Sequence, residues 1–345
     1  MKRNCLIYAL TMTLMAIGGA QAQSRPSSAV PVTIDNFVRA ETDLYFGVVV
    51  SRGGFGKFNH NRELVPINQR GVIRPNRDTL YSAAVFDLDA GLVTVSLPKA
   101  GNRYMSMQVI DEDHFTQAAI YSAGSYTFSR EKTDTRYIDV IVRTLVNPTS
   151  PKDLEEVHAL QDAIEVSQNS HGRFEVPNWD QASRKKVHDA LLALSEAIPD
   201  LDSRRSYGTK DQTDPVRHLI GTARGWGGLP EQDAFYLGVT PAKNDGVTTL
   251  RLNVKDVPVN GFWSVSVYNA EGYFQPNEYN AYSLNNITAT KGADGSITIQ
   301  FGGCDGKIAN CLPITPRWNY TVRFYRARTE ILDGKWIFPQ AQPIN

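Results

Sequence analysis

The stretch Val72-Ile73-Arg74-Pro75-Asn76-Arg77-Asp78-Thr79-Leu80-Tyr81-Ser82 decides how this chain is read. Two β-branched residues run into a proline, four polar residues follow, and an alternation suited to a strand begins. Pro75 fixes its own φ and disfavours helical geometry at Arg74, so the stretch predicts strand, tight corner, strand. A guanidinium and a carboxylate side by side on such a corner either face a cavity or tie the corner down. Both readings stand at this point.

Around that corner the signal is β. Segments 79–87, 92–97, 103–110, 118–122, 125–128 and 137–145 each suit a strand, and turn-forming residues separate them. Strands return at 235–237, 248–254, 262–269, 296–301 and 319–327. Ahead of the first set, Thr33 to Asn36 offer caps for a helix in which Phe37, Ala40, Leu44 and Val48 keep helical spacing. Between the two sets, 152–167 and 180–198 predict two amphipathic helices, and 199–229 reads as irregular. The expected fold is mainly β (α+β). It has two antiparallel sandwich- or jelly-roll-like halves, an N-terminal helix and a two-helix insert. The expected divisions are 1–22, 23–146, 147–230 and 231–345.

Residues 1–22 read as a secretory leader. Lys2 and Arg3 precede the uncharged apolar run 5–19, and Ala20-Gln21-Ala22 supplies the small-x-small cleavage pattern. The expectation is therefore a periplasmic or secreted protein with no membrane insertion after cleavage. The whole chain of 345 residues carries 36 basic and 36 acidic side chains; losing Lys2 and Arg3 leaves 34 basic against 36 acidic. That balance argues against a nucleic-acid partner, which needs a basic footprint. Of three cysteines, Cys5 lies in the leader, and the other two, Cys304 and Cys311, flank a short loop. In an exported protein such a pair is expected to form a disulfide; a two-cysteine metal site is the alternative.

Several segments together resemble two families. Thr33-Ile34-Asp35-Asn36-Phe37-Val38-Arg39-Ala40-Glu41-Thr42-Asp43 and Arg74-Pro75-Asn76-Arg77-Asp78-Thr79-Leu80-Tyr81 resemble the bacterial domain-of-unknown-function family numbered 1254. Gly261-Phe262-Trp263-Ser264-Val265-Ser266-Val267-Tyr268, Asn280 to Asn285 and Leu332-Asp333-Gly334-Lys335-Trp336 are similar to the partner family numbered 1214. The resemblance implies an exported, sandwich-rich protein with both domains in tandem, and implies no mechanism.

The chemistry is sought at the corner first. Arg77 and Asp78 are the catalytic candidates: Arg77 would grip a carboxylate or carbonyl, and Asp78 would orient it or act as base. Asn76, Tyr81, Gln108, Asp111, His114, Trp263 and Tyr268 are the candidate substrate-binding residues. Asp111-Glu112-Asp113-His114 puts carboxylates beside an imidazole, a set that could bind a metal or shuttle a proton, and it also reads as a solvated acidic turn, the preferred reading because metal sites usually draw ligands from several elements. Nucleophile-elbow and zinc-protease motifs do not occur, and Ser183-Arg184-Lys185-Lys186 lacks the companion elements of a serine–lysine hydrolase. No cofactor or metal is expected. The expected function is hydrolysis of a small ester, lactone or related carbonyl compound; the alternative is a non-catalytic ligand-binding or envelope-associated module. A small-molecule ligand is the expected partner, and self-association into a homo-oligomer is open.

Overall fold

The computed structural model describes residues 28–70, 73–198 and 203–344; the expected leader lies outside them. In chain order the first half contains α1 (Phe37–Ser51), β1 (Asn59–His60), β2 (Thr79–Asp87), β3 (Val93–Leu97), β4 (Met105–Asp111), β5 (Thr116–Ile120), β6 (Gly124–Phe128), α2 (Arg130–Thr133) and β7 (Tyr137–Leu145). Then come α3 (Pro151–Asp162), β8 (Glu165–Gln168), α4 (Gln181–Glu196) and α5 (Pro215–Gly225). The second half contains β9 (Ala234–Val239), β10 (Leu250–Val254), β11 (Trp263–Tyr268), β12 (Ser283–Asn285), β13 (Ile297–Phe301), β14 (Cys311–Leu312), β15 (Asn319–Tyr325), α6 (Thr329–Leu332) and β16 (Gln342–Pro343). The fold is mainly sheet, as expected, with no barrel.

Each half is a sandwich with its own core. A five-stranded sheet ordered β1-β2-β7-β4-β5 packs on the sheet β6-β3-β8 through Phe86, Val93, Val95, Met107, Val109, Val140 and Val142. The sheet β12-β11-β15-β9 packs on β14-β13-β10-β16 through Trp263, Val265, Leu252, Ile299, Phe301, Trp318 and Val322. All pairings are antiparallel except β13 with β14. Each large apolar side chain so buried contributes about 1.5–3 kcal/mol. The Cys304–Cys311 disulfide is present, with Cα atoms 5.6 Å apart, and closes the loop before β14.

Three of the helices start on local capping chemistry, whereas α1, α2 and α6 have no side-chain cap. Ser150 accepts from the Asp153 N–H, Asp180 from that of Ser183, and Asp214 from those of Val216 and Arg217, so α3, α4 and α5 each start on an oxygen cap. Asn36 precedes α1 without capping it; its side chain accepts from the Thr33 N–H instead. The buried side of α1 also differs from expectation: Phe37, Ala40, Glu41, Thr42, Asp43 and Phe46 are buried and Val48 is exposed. Glu41 is buried because Arg184 of α4 reaches it, and Asp43 because the Trp179 indole N–H donates to it at 2.7 Å.

Short elements outside the expected segments are β1, α2, β12, β14, α6 and β16, and two departures reshape the region between the halves. The helix expected over 152–167 ends at Asp162, and β8 then pairs with β3, adding a strand to the first sandwich. The stretch expected to be irregular contains α5, which packs with α1 and α4 around Phe37, Ala40, Leu191 and Ile220.

Candidate functional site

The two sandwiches meet through the outer faces of β2, β4 and β7 on one side and β11, β15 and β9 on the other. Side chains alternate along each strand. Val322 and Phe324 of β15 enter the core, so Thr321, Arg323 and Tyr325 face outward; likewise Ser264, Ser266 and Tyr268 on β11. On the first half, Val140 and Val142 point into the core while Asp139 and Arg143 point out, as do Ser106 and Gln108 on β4. Such alternation normally marks a face in water. Here Ser106, Gln108, Asp139, Arg143, Ser264, Ser266, Thr321 and Arg323 are all buried, and the two polar faces form an internal seam.

The seam is organised by two arginines. Arg143 of β7 donates to Gln108 Oε1 at 2.9 Å and to the Gly227 carbonyl at 2.9 Å, and its guanidinium carbon lies 5.3 Å from the centre of the Tyr81 ring. Gln108 donates in turn to Thr116 Oγ1 and, at 2.8 Å, to the Gly228 carbonyl. Arg323 of β15 donates to Ser266 Oγ at 3.0 Å, to Tyr268 Oη at 2.8 Å and to the Arg74 carbonyl at 2.7 Å. Tyr236 lies within electrostatic reach of both guanidiniums. Tyr236 and Tyr81 are both half-buried, and Tyr81 lies within electrostatic reach of Tyr236.

The opening corner of the sequence closes one end of this seam. Its backbone is captured by the second half: Arg74 N–H donates to the Gly272 carbonyl at 2.8 Å, and Tyr268 Oη donates to the Pro75 carbonyl at 2.9 Å. Arg74 adopts φ +52°, against the extended geometry expected before proline, because these contacts and that of Arg323 fix it there. Gly272, at φ +83°, allows the approach: a Cβ on it would lie 2.7 Å from Ile73 Cγ2.

The two catalytic candidates diverge from this corner. Arg77 donates to the Val65 carbonyl and lies over the Phe274 and Tyr282 rings, away from Asp78. Asp78 turns into the seam, where Asn285 Nδ2 donates to its Oδ1 at 3.2 Å; burial pushes its carboxyl up despite the nearby Arg323 charge. Asn76 reaches Tyr81 Oη at 3.2 Å and Tyr325 Oη at 3.0 Å, so it joins the two halves. Asp111 staples its own turn, accepting from the Asp113 and Phe115 N–H groups and from Gln117; burial pushes it up to about 6. Trp263 faces the second core, not the seam.

His114 acts one step removed. Its Nε2 accepts from the Gly227 N–H at 2.8 Å, which assigns the proton to Nδ1, 2.8 Å from Thr222 Oγ1. The ring stacks on Trp226, and burial holds it well below the ordinary imidazole range, so it is neutral. It thereby fixes the loop whose carbonyls receive Arg143 and Gln108.

Several polar groups on these faces are thinly satisfied: Ser264 is the side-chain neighbour of Asp78, Ser106 that of Tyr104, and the Ala84 backbone that of Asp139, while Thr321 Oγ1 has no partner. Burial pushes the Asp139 carboxyl up to about 8. The residues missed from sequence are thus Arg143, Arg323, Asp139, Tyr236 and Tyr325. A charged or phenolic residue at every second position of a strand was the available signal. Among the described residues no cluster of three or more His, Cys, Asp or Glu is placed to hold a metal ion.

Comparisons with known proteins agree with this architecture. Residues 55–127 match the model of the protein family of unknown function DUF1254, and residues 240–329 that of the family of unknown function DUF1214. No curated protein matches the chain. Among solved structures, the VPA0106 protein from Vibrio parahaemolyticus is similar at a TM-score of 0.68 and 18% identity, covering 90% of this chain and 98% of that one. An uncharacterized protein from Burkholderia cenocepacia is similar at a TM-score of 0.50 and 12% identity, covering 90% and 87%. These likenesses establish the fold alone.

Proposed function

We propose, for a chain that joins the DUF1254 and DUF1214 families in that order, that it is an exported protein binding a small polar molecule in the seam between its halves. One observation carries the reading: Arg143 from the first half and Arg323 from the second are both nearly out of water on the facing polar sheets, and every hydrogen-bond acceptor they have is neutral. Burying a charge without an opposite charge is costly, and a polar ligand between the halves would relieve it. The phenols of Tyr81, Tyr236 and Tyr325 supply apolar surface with a polar tip, the usual lining of a small-molecule site.

The test removes an unpartnered hydroxyl without changing shape. Thr321→Val is expected to raise the melting temperature of the free protein and to weaken stabilisation by a bound compound. A variant that melts lower and keeps the full ligand response would overturn the reading.

The hydrolytic alternative is favoured by one feature, the buried Asp78 carboxyl beside Arg323, held toward its protonated form. It requires ester or lactone turnover that is lost in Asp78→Asn and kept in Arg77→Ala, since Arg77 points elsewhere.

A further inference from the structure

We infer that the seam recognises a small organic carboxylate, gripped between Arg143 and Arg323; this rests on the reading of the seam as a binding site. Both guanidiniums are nearly out of water, at 6% and 4% exposure. Their hydrogen-bond partners are all neutral: an amide oxygen and a carbonyl for Arg143, two hydroxyls and a carbonyl for Arg323. A buried charge held only by neutral acceptors is far costlier than a buried neutral group, and an opposite charge relieves it.

The protein itself supplies little of that opposite charge. Asp78 and Asp139 are the acids closest to the two arginines. Asp139 meets the Ala84 backbone, not Arg143, and Asp78 meets Asn285 and Ser264, not Arg323. Burial pushes both carboxyls toward the neutral form, which leaves the guanidiniums still less compensated.

The fork geometry suits a carboxylate. Each guanidinium has five N–H donors; Arg143 is bonded to two acceptors and Arg323 to three, so directed donors remain. The field extends outward, because Arg74 and Arg224 lie exposed at the seam's edge and their charges repel each other. A near-neutral protein that concentrates cationic groups in one crevice attracts anions there. The phenol rings beside the arginines favour an organic body over a bare inorganic ion.

The experiment uses matched pairs: benzoate against benzamide and hexanoate against hexanamide, with inorganic phosphate as a third arm. Thermal shift and calorimetry are run on wild type, Arg143→Gln, Arg323→Gln and the charge-keeping Arg143→Lys. Folding of each variant is checked by circular dichroism. The carboxylates are expected to stabilise wild type, the amides to bind at least tenfold more weakly, and each Gln variant to lose at least tenfold in affinity. Arg143→Lys should retain part of it, which separates charge from damage to the fold. Equal binding of acids and amides would overturn the carboxylate inference and leave the seam a binding site. A response to phosphate alone would overturn the organic part. No response to any compound, together with no effect of Thr321→Val on stability, would overturn both readings.

Discussion

Asp139 makes the seam testable by acid–base linkage alone, with no ligand. Its carboxyl lies at the centre of β7, and burial pushes it from an ordinary 3.8 up to about 8 against the opposing effects of Arg143 and the Ala84 backbone. Between those values the folded chain holds a proton that the unfolded chain has released, so stability falls as pH rises. One proton corresponds to about 1.4 kcal/mol per pH unit. Asp43 and Asp111, both pushed up to about 6, and Asp78, also raised, act in the same direction. The variant Asp139→Asn isolates one residue, because the neutral amide is isosteric with the protonated acid and its oxygen can still accept from the Ala84 backbone. Urea unfolding of both proteins at pH 5, 6, 7 and 8 should find the variant's advantage growing by roughly 3–4 kcal/mol across that range. A constant difference, or one that shrinks with rising pH, would refute the burial argument.

Three further outcomes follow from the packing. Replacing both Cys304 and Cys311 by serine opens a loop of sequence separation 7 and should cost about 2–3 kcal/mol in denaturant melts, with the rest of the fold retained. Arg184→Met leaves Glu41 buried without its partner and should cost about 3–5 kcal/mol; adding Glu41→Gln should recover part of it. His114→Leu strands the Gly227 N–H and should cost about 1–3 kcal/mol. Because Gly227 and Gly228 hold Arg143 and Gln108, the same change should weaken ligand stabilisation in thermal-shift measurements.

The sheets were legible because alternation and turns are local signals. The segments 79–87 and 137–145 coincide with β2 and β7, and the disulfide joins the two cysteines whose close spacing led us to expect it. Helix α5 was overlooked although Asp214-Pro215 is a strong start signal and Ile220 and Ala223 share its buried side. Glu41 and Asp43 lie off the apolar spacing of Phe37, Ala40, Leu44 and Val48, and their burial depends on partners more than 130 residues away, which local spacing does not record. The site suffered most from this. Arg143 and Arg323 stand at the polar positions of alternating strands, which locally read as water-facing. Their burial comes from the second half closing on the first, a long-range event that no strand records. Arg77 and Asp78 are adjacent in sequence and on opposite sides of their corner in space. Only Asp78 turned inward.

The capture of that corner constrains the order in which the molecule matures. The bonds from Arg323 to the Arg74 carbonyl and from Tyr268 to the Pro75 carbonyl join residues 249 and 193 positions apart. During synthesis the corner therefore emerges long before its clasp, and its left-handed residue is without those partners until β11 and β15 exist. Contacts of such span form late and slow the folding rate. The first sandwich can assemble its own core, but its outer face and this corner stay incomplete until the last third of the chain arrives, which couples the two domains as a kinetic unit.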